Sequence, residues 1–140
     1  MGRALVEAYP SIRSLYEEAS SILRYDIGAL CFEGPVERLN LTEYTQPALL
    51  VSSIAALQAF KPLGIAPIAV AGHSLGEYSA LVAAGGMTYR EAVAIVQKRG
   101  RYMAEAVPSG TGLVAALLGL SVDVVKEVCR EASSVGVVAA

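Results

Sequence analysis

Histidine occurs once in this chain of 140 residues and cysteine only twice. A lone His73, with Cys31 and Cys129 far apart, provides no metal-ligand spacing and no disulfide framework, so a reducing compartment is the default and no metal is expected. Basic runs are scarce too. Nothing longer than Lys98-Arg99 with Arg101 occurs, and a net charge of −2 with a pI near 5.4 excludes the electrostatic footprint of a nucleic-acid or anionic-membrane binder. The start, Met1-Gly2-Arg3-Ala4, lacks the long apolar region of a signal peptide. A long uncharged stretch, residues 44–60, carries a proline, two glutamines and several hydroxyl residues, which marks a buried helix and not a membrane span. The expected location is the cytoplasm.

What the chain has in excess is small and branched apolar residues: 54% of it is hydrophobic, much of this Ala and Val, and its mean hydropathy is +0.50. Such a composition suits helices and strands buried on several sides, as in an α/β protein.

Gly72-His73-Ser74-Leu75-Gly76 is the most informative stretch. Its Gly-x-Ser-x-Gly spacing is that of a sharp strand-to-helix turn which holds a serine hydroxyl exposed above a sheet. The context agrees in order: residues 68–71 are a short apolar run with β-branched members, and Leu75, Tyr78, Ser79 and Val82 follow at helical spacing. Both glycines are expected to let strand and helix pass close to the serine. Unsatisfied N–H groups at the start of the following helix would face the place where an oxyanion forms. Ser74 is therefore the candidate nucleophile, against the alternative of an ordinary tight turn.

Elsewhere the pattern is mostly helical. Residues 11–23 carry Ile12, Leu15, Tyr16, Ala19, Ile22 and Leu23 on one stripe, and residues 26–32 suit a short helix. Glu33-Gly34-Pro35 breaks the chain before a polar connection over 36–44. Thr45-Gln46-Pro47 reads as a helix start, with residues 48–60 apolar nearly all round, so Gln46 sits at the mouth of a buried helix and faces either solvent or a site. Gly85-Gly86 ends the helix after Ser74, and Thr88 with Glu91 forms a capping box for a helix to about residue 107. Its apolar stripe comprises Ala92, Ile95, Val96, Tyr102, Met103 and Ala106, and Arg99 lies inside it. An arginine there is either a structural ion pair or a clamp for a substrate carboxylate. Residues 108–112 have the composition of a linker. Residues 113–118 then read as a strand, Ser121 caps a helix with Val122, Val125, Val128, Cys129 and Ala132 on one stripe, and residues 135–140 begin a second strand.

A serine nucleophile needs a base. His73, next to Ser74 in the turn, should diverge from it and is expected to be structural or to line the site. Only residues 68–71 form a convincing strand before the linker, too few for the parallel sheet from which such a turn projects. Both shortages predict a fragment cut at both ends, or at least at the C-terminus.

The strings Gly72-His73-Ser74-Leu75-Gly76-Glu77-Tyr78-Ser79-Ala80-Leu81, Thr45-Gln46-Pro47-Ala48, Lys98-Arg99-Gly100 and Ala106-Val107-Pro108 through Gly112 strongly resemble the malonyl-CoA:acyl carrier protein transacylases of type II fatty acid synthesis. The resemblance covers essentially the whole chain. It implies part of an α/β-hydrolase-like large subdomain in residues 1–112 and the start of a ferredoxin-like small subdomain in 113–140. It also implies that Ser74 accepts the malonyl group of malonyl-CoA and yields it to the phosphopantetheine thiol of acyl carrier protein. Arg99 would bind the free carboxylate, the Leu75 N–H would meet the oxyanion, and Gln46 would line the site, with malonyl-CoA as substrate and no resident cofactor. The family's Gly-Gln-Gly-Ser-Gln strand and its histidine base have no counterpart here, so the chain alone is expected to be inactive. Other readings are the acyltransferase domain of a polyketide synthase, a serine hydrolase, and a non-catalytic structural or binding module.

Overall fold

A computed structural model describes residues 1–107, 110, 112, 115 and 117–136. In chain order the helices are α1 (Arg3–Ala8), α2 (Arg13–Leu23, led in by a 3₁₀ turn, Pro10–Ile12), α3 (Ile27–Glu33), α4 (Val36–Leu39), α5 (Thr42–Phe60), α6 (Gly76–Ala83), α7 (Tyr89–Ala106) and α8 (Val122–Ala132). They divide into two compact units, Met1–Ser109 and Gly110–Ala140.

Helix starts that rest on local capping chemistry lie where the sequence puts them. Asp26 accepts the Ala29 N–H at 2.8 Å ahead of α3, and Ser121 accepts the Val124 N–H at 3.4 Å ahead of α8. At α7 the box is complete, with the Glu91 N–H donating to Thr88 Oγ1 at 3.2 Å and the Thr88 N–H donating to the Glu91 carboxylate at 3.0 Å.

In the first unit α5 is the central helix, and its main neighbour is α7. The apolar stripe of α2 closes the other side of α7, burying Ile12, Tyr16, Ala19 and Leu23 with Ile27 and Leu30 of α3, Leu50, Val51 and Ile54 of α5, and Val93 and Val96 of α7. Each large aliphatic group removed from water here contributes roughly 1.5–3 kcal/mol. Polar ties fix α7 against α2: the Tyr89 hydroxyl donates to the Leu15 carbonyl at 2.8 Å and Gln97 Nε2 to the Leu23 carbonyl at 2.9 Å. Burial pushes the Tyr89 phenol well above its ordinary pKa, so it stays a donor.

Several expectations need correction. The α/β layering is not seen among the described residues: they contain no strand, and residues 68–71, expected as one, run without a ladder, with Ile68 fully exposed. A strand is completed by hydrogen bonds from a neighbour, and the described residues include none. The polar connection over 36–44 instead holds α4 and the first residues of α5. That helix starts at Thr42, so Pro47 lies in its second turn and not at its start. The turn before the proline is held by the Leu41 carbonyl, which accepts the Tyr44 and Thr45 N–H groups, both at 2.8 Å, and the Thr45 hydroxyl at 3.0 Å. On α7 the buried residues are Ala92, Val93, Val96 and Gly100, while Ile95, Tyr102, Met103 and Ala106 of the expected stripe are exposed. The α8 stripe buries none of its residues. Of the two expected terminal strands, 113, 114, 116 and 137–140 lie outside the described residues, as do 108, 109 and 111 of the linker; the described remainder is not strand.

Candidate functional site

The turn before α6 closes on its own backbone. A Cβ at Gly72 would lie 2.0 Å from the carbonyl carbon and oxygen of Gly76, so only glycine fits there, whereas a Cβ at Gly76 would meet nothing within 4 Å. The expected close approach thus belongs to Gly72 alone. Three bonds wind the turn into the helix: Gly76 N–H to the His73 carbonyl at 2.8 Å, Glu77 N–H to Ser74 at 3.3 Å, and Tyr78 N–H to Leu75 at 3.1 Å. Ser74 takes φ 53°, a left-handed conformation that side chains rarely adopt, and its side chain is exposed. The Leu75 N–H, one residue before α6, makes no backbone hydrogen bond among the described residues.

Arg99 reaches Ser74 from α7. Its Nη2 donates to Ser74 Oγ at 2.9 Å, its Nη1 donates to Gln46 Oε1, and its guanidinium carbon lies 5.8 Å from the centre of the Tyr78 ring. Gln46 is buried, and its Nε2 donates to Thr42 Oγ1 at 3.0 Å and to the Met103 sulfur at 3.2 Å. Among the described residues no carboxylate stands within ion-pair distance of Arg99; the two ion pairs present are Arg90–Glu18 and Arg130–Glu127. The half-buried guanidinium therefore meets neutral acceptors with two of its five N–H groups and keeps donors for an anion.

Ser74, Arg99 and Gln46, widely separated in the chain, thus meet at one place, with Leu75 beside them. His73 contributes its carbonyl to the turn, and its exposed ring makes no hydrogen bond to Ser74 among the described residues. Sequence reasoning missed Thr42, Tyr78 and Met103 as neighbours of the site. The signal was spacing: each stands four residues from Gln46, Ser74 or Arg99, which for Thr42 and Met103 is one helical turn along the same face. Among the described residues no group of His, Cys, Asp and Glu could hold a metal ion, and no helix is long and apolar enough to cross a membrane.

The family model that matches is that of the acyl transferase domain, over residues 1–140. The malonyl CoA-acyl carrier protein transacylase of Bacillus subtilis (strain 168) is 48% identical over 136 residues, covering 97% of this chain and 43% of that protein. The crystal structure of MCAT from Streptococcus pneumoniae superposes with a TM-score of 0.85 at 44% identity, over 98% of this chain and 45% of that one. A malonyl-transacylase solved in complex with a type II PKS acyl-carrier protein gives 0.87 at 44% identity, over 95% and 43%. The chain spans about two fifths of the length of the curated relatives it matches.

Proposed function

The chain belongs to the acyl transferase domain family, and from that premise we propose that it carries the nucleophile and the carboxylate clamp of a malonyl-CoA:acyl carrier protein transacylase. Ser74 Oγ attacks the thioester carbonyl of malonyl-CoA. The C–S bond breaks, the coenzyme leaves as its thiol with the proton from the serine, and a malonyl-serine ester remains. The phosphopantetheine thiol of acyl carrier protein then attacks that ester, takes the malonyl group and returns the proton to Ser74. Negative charge that develops on the carbonyl oxygen falls to the Leu75 N–H and the start of α6. Arg99 is always protonated and cannot be the base; that role falls to a residue beyond those described, which for the family resemblance is a histidine. In the whole protein we read residues 68–71 as a strand of an α/β-hydrolase-like sheet and residues 113–140 as the beginning of a ferredoxin-like subdomain, working in the cytoplasm without a resident cofactor.

One observation carries the acyl choice. Arg99 bonds Ser74 Oγ at 2.9 Å with no carboxylate among the described residues to neutralise it. A malonyl carboxylate is a stronger acceptor than a hydroxyl, so it draws the guanidinium to itself and leaves the serine oxygen free to attack. In the whole protein, Arg99→Ala should lower kcat/KM for malonyl-CoA on the order of 10²-fold, the size of one or two charged hydrogen bonds. The preference for malonyl-CoA over acetyl-CoA should fall with it. Malonyl transfer at the wild-type rate by Arg99→Ala would remove the clamp from the mechanism.

A further inference from the structure

The orientation of Arg99 is not set by Arg99. Gln46 is buried, with 6% of its surface exposed, so both ends of its amide need partners inside the protein. The guanidinium has only donors, so the amide atom that faces it is the oxygen. The amide nitrogen then points the other way, to Thr42 Oγ1 at 3.0 Å and to the Met103 sulfur at 3.2 Å. Sulfur is a weak acceptor, and Met103 is 45% exposed, so the threonine oxygen is the one firm anchor.

We infer that Thr42 is a positioning residue: its hydroxyl oxygen fixes the Gln46 amide, and that amide turns the Arg99 guanidinium so that Nη2 faces Ser74. Thr42 stands one helical turn before Gln46, which puts hydroxyl and amide on one face of α5. The helix crossing gives the chain of contacts a rigid base. A Cβ on Gly100 would lie 2.9 Å from the Glu43 Cα and 3.2 Å from the Thr42 carbonyl oxygen, so the α7 backbone next to Arg99 rests directly on the first turn of α5. Arg99 and Gln46 therefore start from fixed backbone positions, and the bond to Thr42 restrains the rotation of the amide.

This inference rests on the reading of Arg99 as the clamp for an acyl carboxylate, and its test separates the two. Thr42→Val keeps the shape and removes the oxygen; Thr42→Ser keeps the oxygen. In the whole protein, Thr42→Val should raise KM for malonyl-CoA and lower the preference for malonyl-CoA over acetyl-CoA, each roughly three- to tenfold, the size of one net hydrogen bond. Thr42→Ser should restore both. Unchanged malonyl kinetics in Thr42→Val, or an equal loss with both thioesters, would overturn the assignment. Crystal structures of wild type and Thr42→Val give a readout independent of turnover: the Arg99 guanidinium should leave Ser74 in the variant, and an unmoved guanidinium overturns the role of Thr42. If the wild-type protein transfers no malonyl group, the functional reading falls, and the pair of crystal structures alone decides the role of Thr42.

Discussion

Ser74 is held at φ 53°, where a side chain costs roughly 1–3 kcal/mol, and the turn keeps it there because Gly72 lies against the backbone of Gly76. In the sequence the two glycines flank the serine symmetrically and look equivalent; only the backbone shows that one is obligatory. The atoms a new Cβ would strike at Gly72 are the carbonyl carbon and oxygen of Gly76 at 2.0 Å and the Glu77 nitrogen at 2.4 Å, none of which can rotate aside. Gly72→Ala should therefore open the turn, destabilise the protein by about 1–3 kcal/mol and move Ser74 off Arg99. Gly76→Ala meets open space and a helical backbone, and should stay within about 1 kcal/mol of wild type. Urea midpoints measure the first difference. The mass of the malonyl-serine adduct after mixing the whole protein with malonyl-CoA measures the second, and equal behaviour of the two variants would refute the asymmetry.

At the scale of single elements, α7 depends on chemistry at its first turn. The Glu91 carboxyl is held below its ordinary range by the hydrogen bond from the Thr88 hydroxyl and then by the Thr88 N–H. A carboxyl whose pKa is lowered by folding stabilises fully above the unfolded value, here 4.5, and loses that contribution as pH falls through the folded value. The advantage of wild type over Glu91→Ala should thus be present at pH 7 and shrink progressively below pH 4.5. Thermal midpoints of both proteins across that range test it, and a gap independent of pH would show that the box acts without the charge. The same local character made the Thr88 and Ser121 starts legible in the sequence, because a cap is completed within four residues. The start of α5 was less so: Pro47 is compatible with a first turn, and only the bonds to the Leu41 carbonyl place a turn ahead of it. The site was legible in part for a related reason. Arg99 stood out as a charge at helical spacing from apolar neighbours, whereas Thr42 and Met103, though at the same spacing from Gln46 and Arg99, are joined to one another only where α5 and α7 cross.

At the scale of the whole molecule, strands are the least legible element, since a strand needs partners that a local reading cannot supply. Residues 68–71 have strand composition, yet in this chain Ile68 is fully exposed and Val70 is 39% exposed, with Leu81 of α6 at 44%. Val70 and Leu81 line one cavity, and exposed apolar groups of this kind draw a further layer or promote association. The chain spans about two fifths of its curated relatives, and the proposed α/β-hydrolase-like reading places residues 68–71 within a sheet in the whole protein. Ile68 discriminates sharply. Ile68→Asp in the 140-residue chain puts a carboxylate into water, so it should leave the helices of the first unit intact by circular dichroism and reduce both dye binding and self-association. In the whole protein the same carboxylate would lie unpaired inside a sheet, at a cost of about 3–5 kcal/mol of stability, seen as a lower urea midpoint. A whole protein that carries Ile68→Asp without loss of stability would mean that residues 68–71 never join a sheet. The α/β-hydrolase-like reading would then fail while the Ser74–Arg99–Gln46 geometry, which lies wholly within the helices and the turn, would stand.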